Sequence, residues 1–287
     1  MDSSHDSQPA NLEASPGAKE KLRRLSRLLQ DMPSAIVCYS GGVDSAFLLK
    51  VAHDALGSSL RALTAVSPSL AARELEMAKQ LATELGVDHL LVESNELKRE
   101  GYRDNPENRC YFCKTELMVV ATAEAKRLGC DNILIGTNAD DIKGHRPGMK
   151  ATEEYGAKHP MVEVGLTKTE VRMLSKDFGL PTWDRPQMAC LSSRFPYGTK
   201  ISRERLGRVE RFEDGLVALG FEGCRVRFHE QVARIEVPVG RLMDIVEPQT
   251  RDALLVLGKE LGFTYVTVDL AGYRTGSLNE VLQREGG

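Results

Sequence analysis

Ala35-Ile36-Val37-Cys38-Tyr39-Ser40-Gly41-Gly42-Val43-Asp44-Ser45 is the stretch that decides the fold of this chain. Its first five residues are apolar and β-leaning, and an amphipathic segment, Ala46 to Leu56, follows it. The order is strand, glycine turn, helix start. Adjacent glycines let a backbone adopt conformations closed to other residues and approach a ligand closely. The unpaired N–H groups of a helix's first turn, together with the helix dipole, favour an anion there. Ser40 and Ser45 add hydroxyl donors. The string reads as a grip for pyrophosphate, and without Gly-Lys-Ser/Thr it is not the Walker-type loop. The plainer alternative is an ordinary strand-to-helix turn.

Working outward, strand–helix units repeat. A helix over about Ala18–Leu29 precedes the loop. After it come a strand at Leu60–Val66 with a helix from about Leu70 to Leu85, capped by Ser69, and a strand at His89–Glu93 with a helix from about Cys113 to Leu128. A fourth strand, Asn132–Ile135, ends at Gly136. Such alternation predicts an α/β fold, a parallel sheet with helices on both faces. Ligands of these sheets sit beyond the carboxyl ends of the strands. Ser40, Ser67 and Gly136 all fall there, which points to one nucleotide site. Gly165 to Glu170 introduces a further helix to about Phe178, capped by Thr167 or Thr169.

A proline-punctuated stretch, Gly179 to Tyr197, carries the expected domain boundary. Beyond it a helix (Ser202–Leu219), strands at Cys224–His229 and Val232–Val237, two short helices and a strand at Thr264–Asp269 make a smaller C-terminal α+β domain. The expected organisation is a polar, disordered lead-in over 1–17, the nucleotide domain over 18–190 and the α+β domain over 191–287.

The chain's 287 residues suffice for those two domains. Acidic and basic residues nearly cancel, to a net charge of −3, so the total shows no basic surface for nucleic acid. No apolar run is long enough to span a membrane, and the N-terminus lacks a signal-peptide core. A cytoplasmic protein is expected, with cysteines that are reduced thiols or metal ligands.

Cys110-Tyr111-Phe112-Cys113 is a C-x-x-C pair, compatible with zinc, a redox pair or no function. Cys190 lies far along the chain, in a loop between Pro186 and Pro196. Three such cysteines beside a nucleotide site suggest a cubane iron–sulfur cluster with one iron left for exogenous sulfide. The rival is Cys190 alone as nucleophile, activated by Arg194. Cys38, Cys130 and Cys224 read as structural. Arg225 and Arg227, two apart on a strand, leave the same face and suit a phosphate or carboxylate, although a solvated strand face is the commoner meaning of that spacing.

The loop resembles the PP-loop ATP pyrophosphatases, and further strings narrow the resemblance. They are Pro68-Ser69-Leu70, Asn108 to Lys114, Gly136-Thr137-Asn138-Ala139-Asp140-Asp141, Arg146-Pro147-Gly148, Cys190 to Gly198, and Gly272 to Asn279. Together they are similar to the LarE family of ATP-dependent sulfur transferases, which act in making the nickel-pincer cofactor of lactate racemase. The resemblance implies adenylation of the carboxylates of pyridinium-3,5-biscarboxylic acid mononucleotide and their conversion to thiocarboxylates. It implies ATP and Mg²⁺ held by Ser40, Gly41, Gly42, Asp44 and Ser45, with Ser67 and Gly136 near the adenosine. Asn138 and Asp140 or Asp141 would face the phosphates or metal; the plainer alternative is that they cap a helix.

The same resemblance puts Cys190 at the sulfur-donor position. It makes Cys110, Cys113 and Cys190 the ligands of a [4Fe-4S] cluster, as opposed to a Cys190 sacrificed as dehydroalanine. Arg194 would steady the acceptor carboxylate or leaving AMP, and Arg225, Arg227 and, more weakly, Glu213 would hold the mononucleotide. The implied partners are a sulfide donor, other nickel-pincer biosynthesis proteins and further copies of the chain. The competing readings are a tRNA-thiolating enzyme, which needs a basic surface, an amide-forming enzyme, which needs a glutaminase, and a nucleotide-binding regulator with structural zinc.

Overall fold

The computed structural model describes residues 14–142, 147–186, 189–274, 276 and 278. Arg146, Thr275, Ser277 and Asn279 of the strings above, and the first thirteen residues of the expected lead-in, lie outside them. The rest of that lead-in is structured. Ser15 accepts from the Ala18 N–H as N-cap of α1 (Pro16–Gln30), and Ala14 is buried.

The elements then run β1 (Ala35–Cys38), α2 (Val43–Leu56), β2 (Leu60–Val66), α3 (Ala72–Glu84), β3 (His89–Glu93), α4 (Glu100–Arg103), α5 (Arg109–Leu128), β4 (Asn132–Ile135), α6 (Pro147–Glu154), α7 (Pro160–Glu163) and α8 (Lys168–Asp177). After a 3₁₀ turn at Leu191–Arg194 come α9 (Arg203–Ala218), β5 (Arg225–His229), β6 (Val232–Glu236), α10 (Leu242–Ile245), α11 (Pro248–Glu260) and β7 (Tyr265–Val268). No helix among the described residues is long and apolar enough to cross a membrane.

The chain divides into two compact units. The first comprises residues up to Val66, Arg73–Ser94 and Lys114–Met188; the second takes Ser67–Ala72, Asn95–Cys113 and everything from Ala189. The second unit therefore holds two early segments that the sequence pattern put with the nucleotide domain.

In the first unit all four strands are parallel, in the order β3-β2-β1-β4. Every residue of β1 is buried, because alternate side chains enter two different cores. Ala35 and Val37 pack with α1, α2, α3 and α8 residues such as Leu25, Phe47, Ala78 and Leu174. Ile36 and Cys38 pack on the other face with Met118, Ala121 and Ala125 of α5. In the second unit β5 and β6 are antiparallel and β7 joins β6 in parallel. α9 covers this sheet with Leu206, Val209, Phe212 and Leu216 against Val226, Phe228 and Ile235.

Two expected boundaries moved. Ser69 does not cap α3, which begins at Ala72; its hydroxyl donates to buried Glu96 Oε1 at 2.5 Å. And α5 starts four residues before the expected Cys113, so both cysteines of the C-x-x-C pair are helical.

Candidate active site

In the first unit the chain leaves β1 through Tyr39, Ser40 and Gly41 and enters α2, whose N-cap is Gly42. Gly41 has φ +79°, which calls for glycine, and a Cβ there would also crowd Ala78 Cβ at 3.0 Å. Ser45 turns back on the loop. Its Oγ donates to Gly42 O (3.1 Å), accepts from the Ser40 N–H (3.2 Å) and lies 3.1 Å from Ser40 Oγ. Gly136, one residue past β4, lets the first turn of α2 come in: a Cβ on it would stand 2.8 Å from Ser45 Cα and 2.9 Å from Ser45 N.

Asp44 stands on that first turn, where a carboxylate favours the helix dipole. Lys168 Nζ donates to its Oδ2 at 2.5 Å, and Asn138 Nδ2 donates to its Oδ1 at 3.2 Å. Asn138 Nδ2 also reaches Asp141 Oδ2 (2.8 Å), and Asn138 Oδ1 accepts from the Asp140 N–H (2.9 Å). Asp140 Oδ2 accepts the backbone N–H of Lys168 (2.9 Å), the first residue of α8, beside the Thr167–Glu170 capping box. Asp140 thus does cap a helix, though α8 and not one begun by its own segment. The ends of β1 and β4 and the start of α8 bring a cation and several acidic groups to one sheet edge.

The second unit carries the thiols. Cys110 and Cys113 lie three apart on the first turns of α5, hence on one face; Cys110 is exposed and Cys113 half-buried. Cys190 is exposed at the start of the Leu191–Arg194 turn, and the Leu191 N–H donates to Ser69 O (2.8 Å). Ser69 in turn lies 2.9 Å from the hydroxyl of Ser67. Arg109 and Tyr102 are buried among these segments. Burial works to lower the Arg109 pKa, but Cys190, Cys110, Tyr102 and Tyr197 outweigh it and leave it raised. Tyr102 is raised by burial first, then by Cys190, Glu96 and Cys113.

Arg194 is 3% exposed and Glu213 1%. Arg194 Nε and Nη2 donate to the two Glu213 oxygens, each at 2.9 Å, while Nη1 donates to Ala189 O (2.7 Å) and Cys190 O (3.1 Å). Glu213 also accepts from the Val226 N–H (3.0 Å). Burial pushes the Glu213 pKa up, but the charge and hydrogen bonds of Arg194 hold it below the usual carboxylate range. Arg225 and Arg227 are nearly buried. Arg225 donates to Cys224 O (2.7 Å) and lies over the Tyr273 ring, and its pKa is lowered by burial and then by Arg194. Arg227 donates to Ser193 O (3.0 Å) and to Glu236 Oε2 (2.7 Å).

Among the described residues, no three or more His, Cys, Asp or Glu side chains are grouped to hold a metal ion. The donors nonetheless fit a thiolate-ligated cluster in kind: three thiols in one unit, of which Cys190 and Cys110 act on buried Arg109 and Cys190 and Cys113 on buried Tyr102.

The family model for the queuosine biosynthesis protein QueC matches residues 34–105, the loop and the strands around it. An uncharacterized protein of Synechocystis is 44% identical over 93% of this chain and 99% of its own length. The pyridinium-3,5-bisthiocarboxylic acid mononucleotide synthase of Lactiplantibacillus plantarum is 35% identical over 92% of this chain and 95% of its own. This chain belongs to the LarE family of sulfur-transferring PP-loop enzymes. The tRNA-specific 2-thiouridylase of Rickettsia typhi is more distant, 26% identical over 61% of this chain and 59% of its own.

For this LarE-family chain, the residues expected to hold ATP lie together in the first unit, apart from Ser67, which falls in the second. The expected sulfur and substrate residues all lie in the second. Arg194 and Glu213 do not face outward; they grip each other and the Cys190 loop. Lys168 was missed by the sequence reading, which took Thr167-Lys168-Thr169-Glu170 only as a helix start. Arg109 was missed as well, hidden by the cysteine next to it. Cys38 and Cys224 are buried, and burial pushes the Cys38 thiol to about 12, as suits a core residue.

Proposed function

We propose that this protein adenylates the carboxylates of pyridinium-3,5-biscarboxylic acid mononucleotide at the expense of ATP and converts them to thiocarboxylates for a nickel-pincer cofactor. The carrying observation is the end-to-end likeness to the Lactiplantibacillus synthase. In the first step a substrate carboxylate oxygen attacks the α-phosphorus of ATP, and pyrophosphate leaves. In the second an anionic sulfur attacks the acyl carbon, the bond to AMP oxygen breaks, and AMP carries the electron pair away. Two rounds give the bisthiocarboxylate.

The N–H groups and hydroxyls of Ser40 to Ser45 would hold the departing pyrophosphate. Lys168 and Asp44 now neutralise one another. Magnesium triphosphate offers each a new partner, the phosphates for Lys168 and the cation for Asp44. Asn138 and Asp140 fix this pair from the sides. Cys110, Cys113 and Cys190 would hold a [4Fe-4S] cluster, which would supply the reactive sulfide. Arg194, with Glu213 as its partner, positions the Cys190 loop through its carbonyls. Arg225 and Arg227 would meet the mononucleotide's phosphate.

The test incubates anaerobic, iron-reconstituted protein with ATP, Mg²⁺, sulfide and the biscarboxylate mononucleotide, and follows products by mass spectrometry. Repeated turnover to thiocarboxylate with AMP release is expected, and Lys168→Met should weaken ATP binding about tenfold or more. One turnover with dehydroalanine at Cys190 would keep the substrate and overturn the cluster as sulfur source. Absence of any thiolated product would overturn the substrate itself.

A further inference from the structure

Arg109 is a buried cation, 4% exposed, at the first residue of α5. Its Nη1 donates to Asn105 Oδ1 at 2.5 Å and to Ser192 O at 2.9 Å. One guanidinium nitrogen therefore bridges the segment carrying Cys110 and the loop carrying Cys190. The neighbouring bonds run the same way: Tyr102 Oη lies 2.5 Å from Ser192 Oγ, Asn105 Nδ2 donates to Pro196 O (2.7 Å), and the Gly198 N–H donates to Asn105 O (2.9 Å). Asn105 holds this place in the left-handed region, at φ 54°.

The acceptors of Arg109 are neutral. Among the described residues it has no carboxylate partner, whereas Arg194 has Glu213 and Arg227 has Glu236. Buried charges are normally paired, since desolvating an ion alone is costly. Arg109 directly precedes Cys110, and the carbonyl it reaches belongs to Ser192, two residues past Cys190, so the anion-forming side chains its charge bears on most are those two thiols. The phenols that also bear on it, Tyr102 and Tyr197, are held above their ordinary value by burial.

We infer that Arg109 is a positioning residue which ties the two cysteine-bearing segments together and supplies the fixed positive charge for anionic sulfur held between them. The inference rests on the sulfur-transfer reading for its purpose, but its electrostatics can be tested without iron, ATP or substrate. Arginine keeps its charge throughout the working pH range, so the compensation does not depend on conditions.

The experiment alkylates the full apo-protein, reduced, with neutral iodoacetamide and with anionic iodoacetate, and resolves each cysteine by mass spectrometry. The ratio of the two rates at one thiol cancels its thiolate fraction and accessibility, leaving the local potential. In the wild type the iodoacetate-to-iodoacetamide ratio at Cys190 and Cys110 should exceed that at Cys130 and fall as salt is raised. Arg109→Gln should lower it about three- to tenfold, the effect of removing one nearby charge, while Arg109→Lys, which keeps the charge, should hold it within about twofold.

No excess over Cys130 in the wild type overturns the inference before any variant is made. An unchanged ratio in Arg109→Gln, or an equal fall in both variants, overturns the charge role. Iron retained per chain after reconstitution gives a second readout, expected to fall more in Gln than in Lys. Thiolated product with a flat alkylation ratio sinks Arg109 alone. A normal ratio pattern without thiolated product sinks the substrate reading alone.

Discussion

Replacing Gly136 by alanine should damage both stability and nucleotide binding, for a reason visible at a single atom. The added Cβ would stand 2.8 Å from Ser45 Cα, 2.9 Å from Ser45 N and 3.1 Å from Asp44 C. All three are backbone atoms, so no side-chain rotation relieves the clash. Ordinary contact requires the end of β4 and the first turn of α2 to separate by roughly 0.6 Å, in an interior with little slack. Such overpacking costs about 1–3 kcal/mol. For a chain of this size that lowers Tm by about 2–5 °C.

The same displacement moves Ser45, whose hydroxyl closes the loop onto Gly42 and Ser40, so ATP affinity should fall at least about tenfold, a loss of roughly 1.4 kcal/mol. Thermal melting without ligand and calorimetric titration with magnesium ATP read the two effects separately. Gly207, on α9, is the control: nothing lies within 4 Å of its Cβ position. Gly207→Ala should stabilise by about 0.5–1 kcal/mol through helix propensity and leave ATP binding alone. A Gly136→Ala protein that melts and binds like the wild type would refute the close approach and, with it, the account of why β4 ends in glycine.

Glu213→Gln should destabilise by about 3–5 kcal/mol in chemical denaturation, because it strands Arg194 as a buried cation without its carboxylate. Since the folded-state pKa of Glu213 is lowered, its contribution is fully present above the ordinary carboxylate value of 4.5 and is lost as pH falls through the lowered one. The gap between wild type and variant should accordingly narrow below that value, and a gap independent of pH would count against the charged pair. In folded protein at pH 8, iodoacetamide should label Cys110 and Cys190 and spare Cys38, whose thiol is pushed to about 12, and Cys224, which is 1% exposed. Labelling of Cys38 at a rate matching Cys190 would show that the first unit's core opens readily.

The parallel sheet was legible because local signals agreed with one another. Four apolar runs, the first three each followed by a helical pattern, pointed to a parallel sheet, and β2, β3 and β4 begin and end where the pattern put them. What escaped were features set by partners distant in sequence. Ser69 has the composition of a helix cap, yet its hydroxyl is claimed by Glu96, 27 residues on. Arg194 looked like a residue facing a substrate; a bidentate carboxylate from α9 draws it inward, and only the fold could supply that carboxylate.

Lys168 and Arg109 show the same limit from the other side. Each sits in a string whose neighbours offer a stronger local meaning, a capping box in one case and a C-x-x-C pair in the other. What marks them out is a partner distant in sequence: Lys168 meets the Asp44 carboxylate, 124 residues away, and Arg109 the Ser192 carbonyl, 83 residues away. Motifs identify the groups that do chemistry because those groups need fixed spacing on one element. The counter-charges that make such groups work need only end up nearby, so any element can donate them and no spacing records it. In this chain the glycine loop and the three thiols were therefore readable from the sequence, and the cations bonded beside them, Lys168 and Arg109, were not.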